Sequence, residues 1–217
     1  VKRILVFAAL LVWCAALITL RIARSGSILF FFLGWNLFLA AIPFFAALAL
    51  EALDRRRAHV TLQSLCFVVW LLFLPNAPYI LTDLIHVAPR PPIPIWYDVL
   101  MLLSAAGTGL LLGYGSMLIV QRIIERRHGT VAGWTVAIVT MVLSAFGIYL
   151  GRFLRWNSWE ALTEPRPLLE DIVQRVMNPL QHPTTIAVTV LFGVALTLGY
   201  VALHVLAEDT GRRRPAG

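Results

Sequence analysis

Asp83 and His86 stand three residues apart in the stretch LPNAPYILTDLIH (74–86), and Arg152 and Arg155 stand three apart in GIYLGRFLRWNSWE (147–160). Both stretches adjoin long apolar runs, where an ionisable side chain is costly and needs a reason to be there. Aspartate and histidine at i, i+3 can share a metal ion, or act as general base and orienting group. Two guanidinium groups can neutralise a phosphate or another anion, because the planar fork matches carboxylate and phosphate oxygens. Asp98 and Glu160 supply two more carboxylates, so the catalytic candidates are Asp83, His86, Asp98 and Glu160. The binding candidates are Asn76, Tyr79, Asp83, His86, Asp98, Arg152, Arg155, Trp156, Asn157 and Trp159.

Each of these has a plainer reading. Asp-x-x-His is a weak metal signal, and an ordinary structural hydrogen bond between the two side chains is the more economical account. Asp98 precedes an apolar run and suits the positive end of a helix. Arg152, Arg155, Trp156 and Trp159 follow i, i+3, i+4, i+7, so a continuing helix would set them in one stripe. Such a stripe anchors a helix at a membrane edge as readily as it binds a ligand. The chain has no His-Glu-x-x-His, no Gly-x-Ser-x-Gly and no glycine-rich phosphate loop. No metal site is assigned, with Asp83 and His86 as its weak candidates, and the sequence names no cofactor.

The elements that must position these residues are set by composition. Of the 217 residues, 59% are hydrophobic and 13% charged, against about 45–50% and about 25% in soluble domains. The apolar residues gather in uncharged runs at about 4–20, 28–50, 58–74, 99–120, 131–150 and 184–206. Roughly 20 apolar residues cross a bilayer core as a helix, and in lipid each backbone polar group must be satisfied within its own segment. The runs do not alternate in polarity as barrel strands would. The expected fold is therefore all-α, a polytopic membrane helix bundle with six transmembrane helices plus short interfacial helices, forming a single transmembrane domain over 1–217. The first run is longer than the usual signal-peptide core of about 7–15 residues and no A-x-A site follows it, so it reads as a retained span.

Basic residues give the expected orientation. Lys2, Arg3, Arg55, Arg56, Arg57, Arg122, Arg126, Arg127 and Arg212 to Arg214 fall on the side of both termini. The other side holds Arg21, Arg24, Arg90, Arg152, Arg155, Arg166 and Arg175, in much longer connections. Positive residues favour the cytoplasm, so both termini are expected inside and the segments 75–98 and 151–183 outside. The net charge of +7 comes from clusters between spans, where anionic head groups attract them. It is not a nucleic-acid footprint. Membrane lipids are the expected partners, a lipid-linked or anionic ligand is a further candidate, and the oligomeric state is open. Cys14 and Cys66 lie inside apolar runs and read as packing residues.

In the segment 75–98, Pro75 and Pro78 break the helical ladder, Asn76 can cap a new helix, and Pro78 fits its first turn. An α-helix over 78–87 would put Tyr79, Asp83 and His86 on one face, with Ile80, Leu84 and Val87 as an apolar row flanked by Leu81 and Ile85. The four prolines of PRPPIPIWYD favour a stiff extended connector, and Trp96 and Tyr97 suit the interfacial belt. Residues 165–180 read as an amphipathic surface helix with Leu169, Ile172, Val173 and Val176 as its apolar row. Gly109 and Gly113, and Gly147 and Gly151, form G-x-x-x-G pairs, which let helices pack closely within one bundle.

LPNAPYILTDLIH, WYD and GIYLGRFLRWNSWE together resemble the signature segments of a bacterial integral-membrane family catalogued as domain of unknown function 1361. The resemblance covers nearly the whole chain from the second span to the sixth. It implies a bacterial multi-span membrane protein, whose expected place is the inner membrane, and brings no assigned reaction. Three functions are then open: a non-catalytic membrane component or binding protein, a membrane-embedded enzyme acting on a lipid-linked or anionic head group, and a transporter of a small solute. The uncharged middles of the six runs count against an ion-coupled pump. All three share one expectation, that 76–86, 97–98 and 149–160 meet at the outer membrane boundary.

Overall fold

The computed structural model describes residues 2–212, except for the side chains of Leu162 and of 208–212. The basic run counted at 212–214 thus falls outside the described side chains. Nine α-helices make up the described chain: α1 Lys2–Ser25, α2 Phe31–Arg55, α3 Val60–Phe73, α4 Asn76–Tyr79, α5 Ile95–His128, α6 Thr130–Phe153, α7 Glu160–Thr163, α8 Pro165–Met177 and α9 Pro183–Arg212. Two 3-10 segments, Ile80–His86 and Pro179–Gln181, join them. There is no strand among the described residues. Six stretches are long and apolar enough to cross a membrane: Lys2–Ser25, Phe31–Arg55, Val60–His86, Ile95–His128, Thr130–Phe153 and Pro183–Ala207. This is the expected all-α architecture of a multi-pass membrane protein. The first run gains length because its basic flanks Lys2, Arg21 and Arg24 are themselves helical.

The third span differs from expectation in its second half. The prolines do not stop it. Leu74 N–H reaches the Trp70 carbonyl at 2.9 Å, and Tyr79 N–H reaches Pro75 at 3.1 Å. Helical turns therefore carry through the break and tighten to 3-10 geometry from Ile80. A 3-10 helix repeats every three residues, so i and i+3 eclipse. The rows become Ile80–Asp83–His86 and Tyr79–Thr82–Ile85. Ile80 and Asp83 are buried, whereas Ile85 is 70% exposed. The expected Tyr79–Asp83–His86 stripe is thus broken, with Ile80 in the place that a 3.6-residue period gives to Tyr79. The Thr82 hydroxyl donates to the Tyr79 carbonyl at 2.7 Å and reinforces the tight turn.

The chain divides into two compact units within α5, Val1–Ser116 and Met117–Gly217. In the first, α1 runs antiparallel to the start of α5. Trp13 Nε1 donates to Ser104 Oγ at 3.2 Å, the Cys14 thiol lies 3.4 Å from the Thr108 hydroxyl, and the Tyr97 hydroxyl donates to the Leu17 carbonyl at 2.8 Å. Their apolar core contains Leu17, Phe30, Leu33, Leu37, Ile80, Leu102 and Ala105. Gly109 and Gly113 make room for the α3–α4 corner. A Cβ on Gly109 would lie 2.5 Å from the Ala77 carbonyl oxygen, and one on Gly113 would lie 3.0 Å from Ala77 Cβ. This glycine pair packs within the chain, as small residues four apart allow.

In the second unit, α6 packs along α9, with Gly193 fitted against Val142 and Ala145. Trp134 meets Tyr200 and His204 edge to face. The Tyr200 hydroxyl donates to Gln121 Oε1, and Gln121 Nε2 donates to Glu125 at 2.8 Å. Gly129, at φ +87°, makes the reversal from α5 to α6, a backbone state that glycine adopts without strain.

Candidate functional site

At the end of the first unit where α1 finishes and α5 begins, two carboxylates are buried. Asp98, in the first turn of α5, is fully enclosed. It is held by Arg21 of α1, whose Nε lies 3.1 Å from Oδ1 and whose Nη2 lies 3.3 Å from Oδ2. This is the two-pronged guanidinium–carboxylate geometry. Arg21 is itself only 2% exposed. Its Nη1 donates to Ser25 Oγ at 2.8 Å, and its guanidinium carbon lies 4.8 Å from the centre of the buried Phe30 ring. Arg90 Cζ approaches the same ring at 5.4 Å, while its Nη1 holds the His86 carbonyl at 2.7 Å.

Asp83, 1% exposed, accepts from Asn36 Nδ2 of α2 at 2.8 Å. His86, half-buried, sets its ring edge-on against Phe32 at 5.2 Å. Asn36 and Phe32 are four apart on α2, and Asp83 and His86 are three apart on the 3-10 turn. The two rows therefore mesh as antiparallel neighbours. Among the described residues, no group of three His, Cys, Asp or Glu side chains is placed to hold a metal ion.

Asn76 differs from its expected role. Its amide donates to the Phe73 carbonyl at 3.0 Å, so it closes the end of α3, and the cap position of α4 falls to Pro75. Nor is the proline connector extended. Ile93 N–H returns to the Arg90 carbonyl at 3.1 Å and closes a reverse turn. Beside that turn lies a cavity of about 420 Å³, lined by Leu20, Arg21 and Arg24 of α1 and by residues 92–94, Trp96 and Tyr97.

The second unit holds its own cluster. Helix α6 ends at Phe153, and Arg155 turns the chain with φ +63°. Trp156 N–H returns to the Leu150 carbonyl at 3.1 Å. The expected single stripe of Arg152, Arg155, Trp156 and Trp159 does not form, because the helix it needs has ended. Arg155 is exposed, and Arg152 is half-buried. Trp156 Nε1 donates to Asp171 Oδ2 of α8 at 2.7 Å, and Arg175 Nη1 meets Asp171 Oδ1 at 3.0 Å. Arg175 also reaches the Tyr149 hydroxyl at 3.5 Å. Burial alone would lower the Arg175 pKa, but the Tyr149 hydroxyl and the Asp171 carboxylate outweigh it and hold it above its ordinary value. Glu160 accepts from the Asn157 backbone and side-chain amides within its own turn. Helix α8 carries Leu169, Val173 and Val176 exposed, each more than half accessible, as a helix lying on an apolar boundary would.

The structure thus pairs Asp83 and Asp98 with residues of their own unit that the sequence reading did not select. By sequence, Arg21 is one more basic residue at the end of a span. Asn36 was the amide in an otherwise apolar run, a signal that polar residues inside a span merit. Asp171 and Arg175 stand at i, i+4 on an amphipathic helix whose plainest sequence signal is its apolar row.

The family model described as "Protein of unknown function (DUF1361)" matches residues 35–198. No curated protein matches the chain. No solved structure matches it either.

Proposed function

The chain belongs to this family of unknown function, and from the geometry of its N-terminal unit we propose that it is a non-catalytic membrane component, a binding protein whose ionisable residues serve as structural locks. One observation carries the reading: the enclosure of Asp98 in a two-pronged pair with Arg21. A general base must reach a substrate proton. Asp98 is instead committed to a guanidinium that is itself buried. Asp83, taken up by Asn36, repeats the pattern on α2. Such pairs fix one packing among alternatives, a role that buried ionic groups fill in some proteins.

The reading extends to location: a bacterial inner membrane with both termini cytoplasmic, supported by the excess of basic residues on the terminal side. An enzyme acting on a lipid-linked head group is the competing account, and one double variant separates the two. In a deletion strain, lipids and envelope polymers are compared, and rescue is scored for Arg21→Leu/Asp98→Leu once the purified variant is shown to be folded. Rescue is expected. A folded double variant that fails to rescue, with an unprocessed lipid or polymer precursor accumulating, would overturn the proposal in favour of catalysis.

A further inference from the structure

The cavity beside the Arg21–Asp98 pair is not explained by that pair. Arg21 spends its guanidinium on Asp98, Ser25 and Phe30. Arg24, three residues on and lining the same cavity, is exposed and has no hydrogen bond or ion pair among the described residues. A cationic wall is left unneutralised. Apolar side chains line the same cavity, Leu20 one turn before Arg24 on α1 and Ile93 in the proline turn, together with Trp96, which is 63% exposed. The volume, about 420 Å³, falls within the usual range for small-ligand sites, about 300–1,000 Å³.

We propose that this cavity binds the head group of one anionic phospholipid, with the phosphodiester on Arg24 and the glycerol end of the acyl chains along Leu20 and Ile93. The charge calls for an anion. The apolar walls and the position at the end of a candidate span call for an amphiphile that the membrane itself supplies. Trp96 suits the boundary at which head group and chain meet. The site deepens the binding-protein reading and rests on it only in requiring that α1 and α5 stay packed together, as they do in a double variant that remains folded.

The alternative is that Arg24 merely snorkels into bulk head groups, as any span-end arginine does. Native mass spectrometry of the full chain in detergent separates the two. Phosphatidylglycerol is titrated against phosphatidylcholine, for wild type and for Arg24→Gln. Arg56→Gln, which removes the same charge beyond the end of α2, is the control, and Ile93→Trp narrows the cavity while keeping every charge. A charge-assisted hydrogen bond predicts that wild type retains phosphatidylglycerol about tenfold better than phosphatidylcholine. Arg24→Gln and Ile93→Trp should each reduce that preference to about twofold or less, by the same conversion, while Arg56→Gln leaves it intact. Equal losses in Arg24→Gln and Arg56→Gln, or full retention in both cavity variants, would overturn the site. Displacement of the lipid by inorganic phosphate at equal concentration would overturn the choice of a lipid. A failure here with rescue by Arg21→Leu/Asp98→Leu intact removes the lipid site and leaves the binding-protein reading standing.

Discussion

Removing either member of the Arg21–Asp98 pair should cost at least as much as removing both, and the two single losses together should far exceed the double one. Asp98 is fully enclosed and Arg21 is 2% exposed, so Arg21→Leu leaves a buried carboxylate, and Asp98→Leu a buried guanidinium, without a counter-charge. Breaking a buried pair from one side costs about 3–5 kcal/mol. The double variant Arg21→Leu/Asp98→Leu strands no charge. It still forfeits the arginine's contact with Phe30, at 4.8 Å, worth about 2 kcal/mol when desolvated. The favourable placement of a carboxylate in the first turn of α5 is lost as well, at about 0.3–1 kcal/mol. Ser25 keeps its bond to the Arg21 carbonyl, which the substitution does not touch. With each single variant at about 3 kcal/mol or more, the singles sum to about 6, and the double stands near 2–3, so the cycle should show at least about 3 kcal/mol of coupling. Unfolding in mixed micelles, followed by tryptophan fluorescence, measures all four corners. Additivity of the two singles within about 0.5 kcal/mol would refute the argument, because it would mean that neither charge depends on the other.

Three further outcomes follow from packing and topology. Gly109→Ala should destabilise by about 1–3 kcal/mol, because its Cβ meets the Ala77 carbonyl oxygen at 2.5 Å, while Gly107→Ala, with nothing within 4 Å, should be neutral or stabilising; thermal unfolding of the two variants that moves in the same direction would count against the close approach. Asp171→Ala removes the shared acceptor of Trp156 and Arg175, and with Asp171 a third exposed the loss should be near 1 kcal/mol. Amide exchange over 165–177 should then quicken about fivefold, and unchanged exchange would deny the clamp. In a Cys14→Ala/Cys66→Ala background, single cysteines replacing Pro92 or Asn157 should react with an impermeant maleimide from outside intact cells, and one replacing Arg56 should not; the reverse pattern would invert the orientation.

The six spans were legible because the hydrophobic requirement acts on whole runs of about 20 residues and tolerates local error. The site was legible only in part, and the reason lies in period. Over 78–87, side-chain spacing cannot tell a 3.6-residue helix from a 3.0-residue one, yet that difference moves Tyr79 off the Asp83 row and puts Ile80 on it. Two prolines three apart, with Thr82 able to bond back to the Tyr79 carbonyl, favour the tighter winding, a tertiary and local compromise that no periodic template contains. The stripe from Arg152 to Trp159 failed for a related reason: it assumed that α6 continued, and the left-handed turn at Arg155 has no glycine to announce it. Arg21 carries no such signal in the sequence, because span-end arginines usually serve topology and its partner lies 77 positions away.

That distance is what gives the pair its use. A helix in lipid gains little from burying apolar side chains against a neighbour, since lipid tails are as apolar as leucine. Rotation or sliding of α1 along α5 would therefore meet little hydrophobic resistance. Polar contacts are directional, and they are set at successive depths: Trp13 to Ser104, Cys14 to Thr108, Tyr97 to the Leu17 carbonyl, Arg21 to Asp98. A slide of one turn would break several at once. The two-pronged charge pair stands at the end of the series, where a mismatch would be most costly. The same logic pairs Asn36 with Asp83 and so fixes α2 against the 3-10 turn. A frame locked in this way can keep a cavity open beside it without relying on the cavity's own walls for stability, and that is the condition a site must meet if it is to exchange ligands with the membrane without loosening the fold.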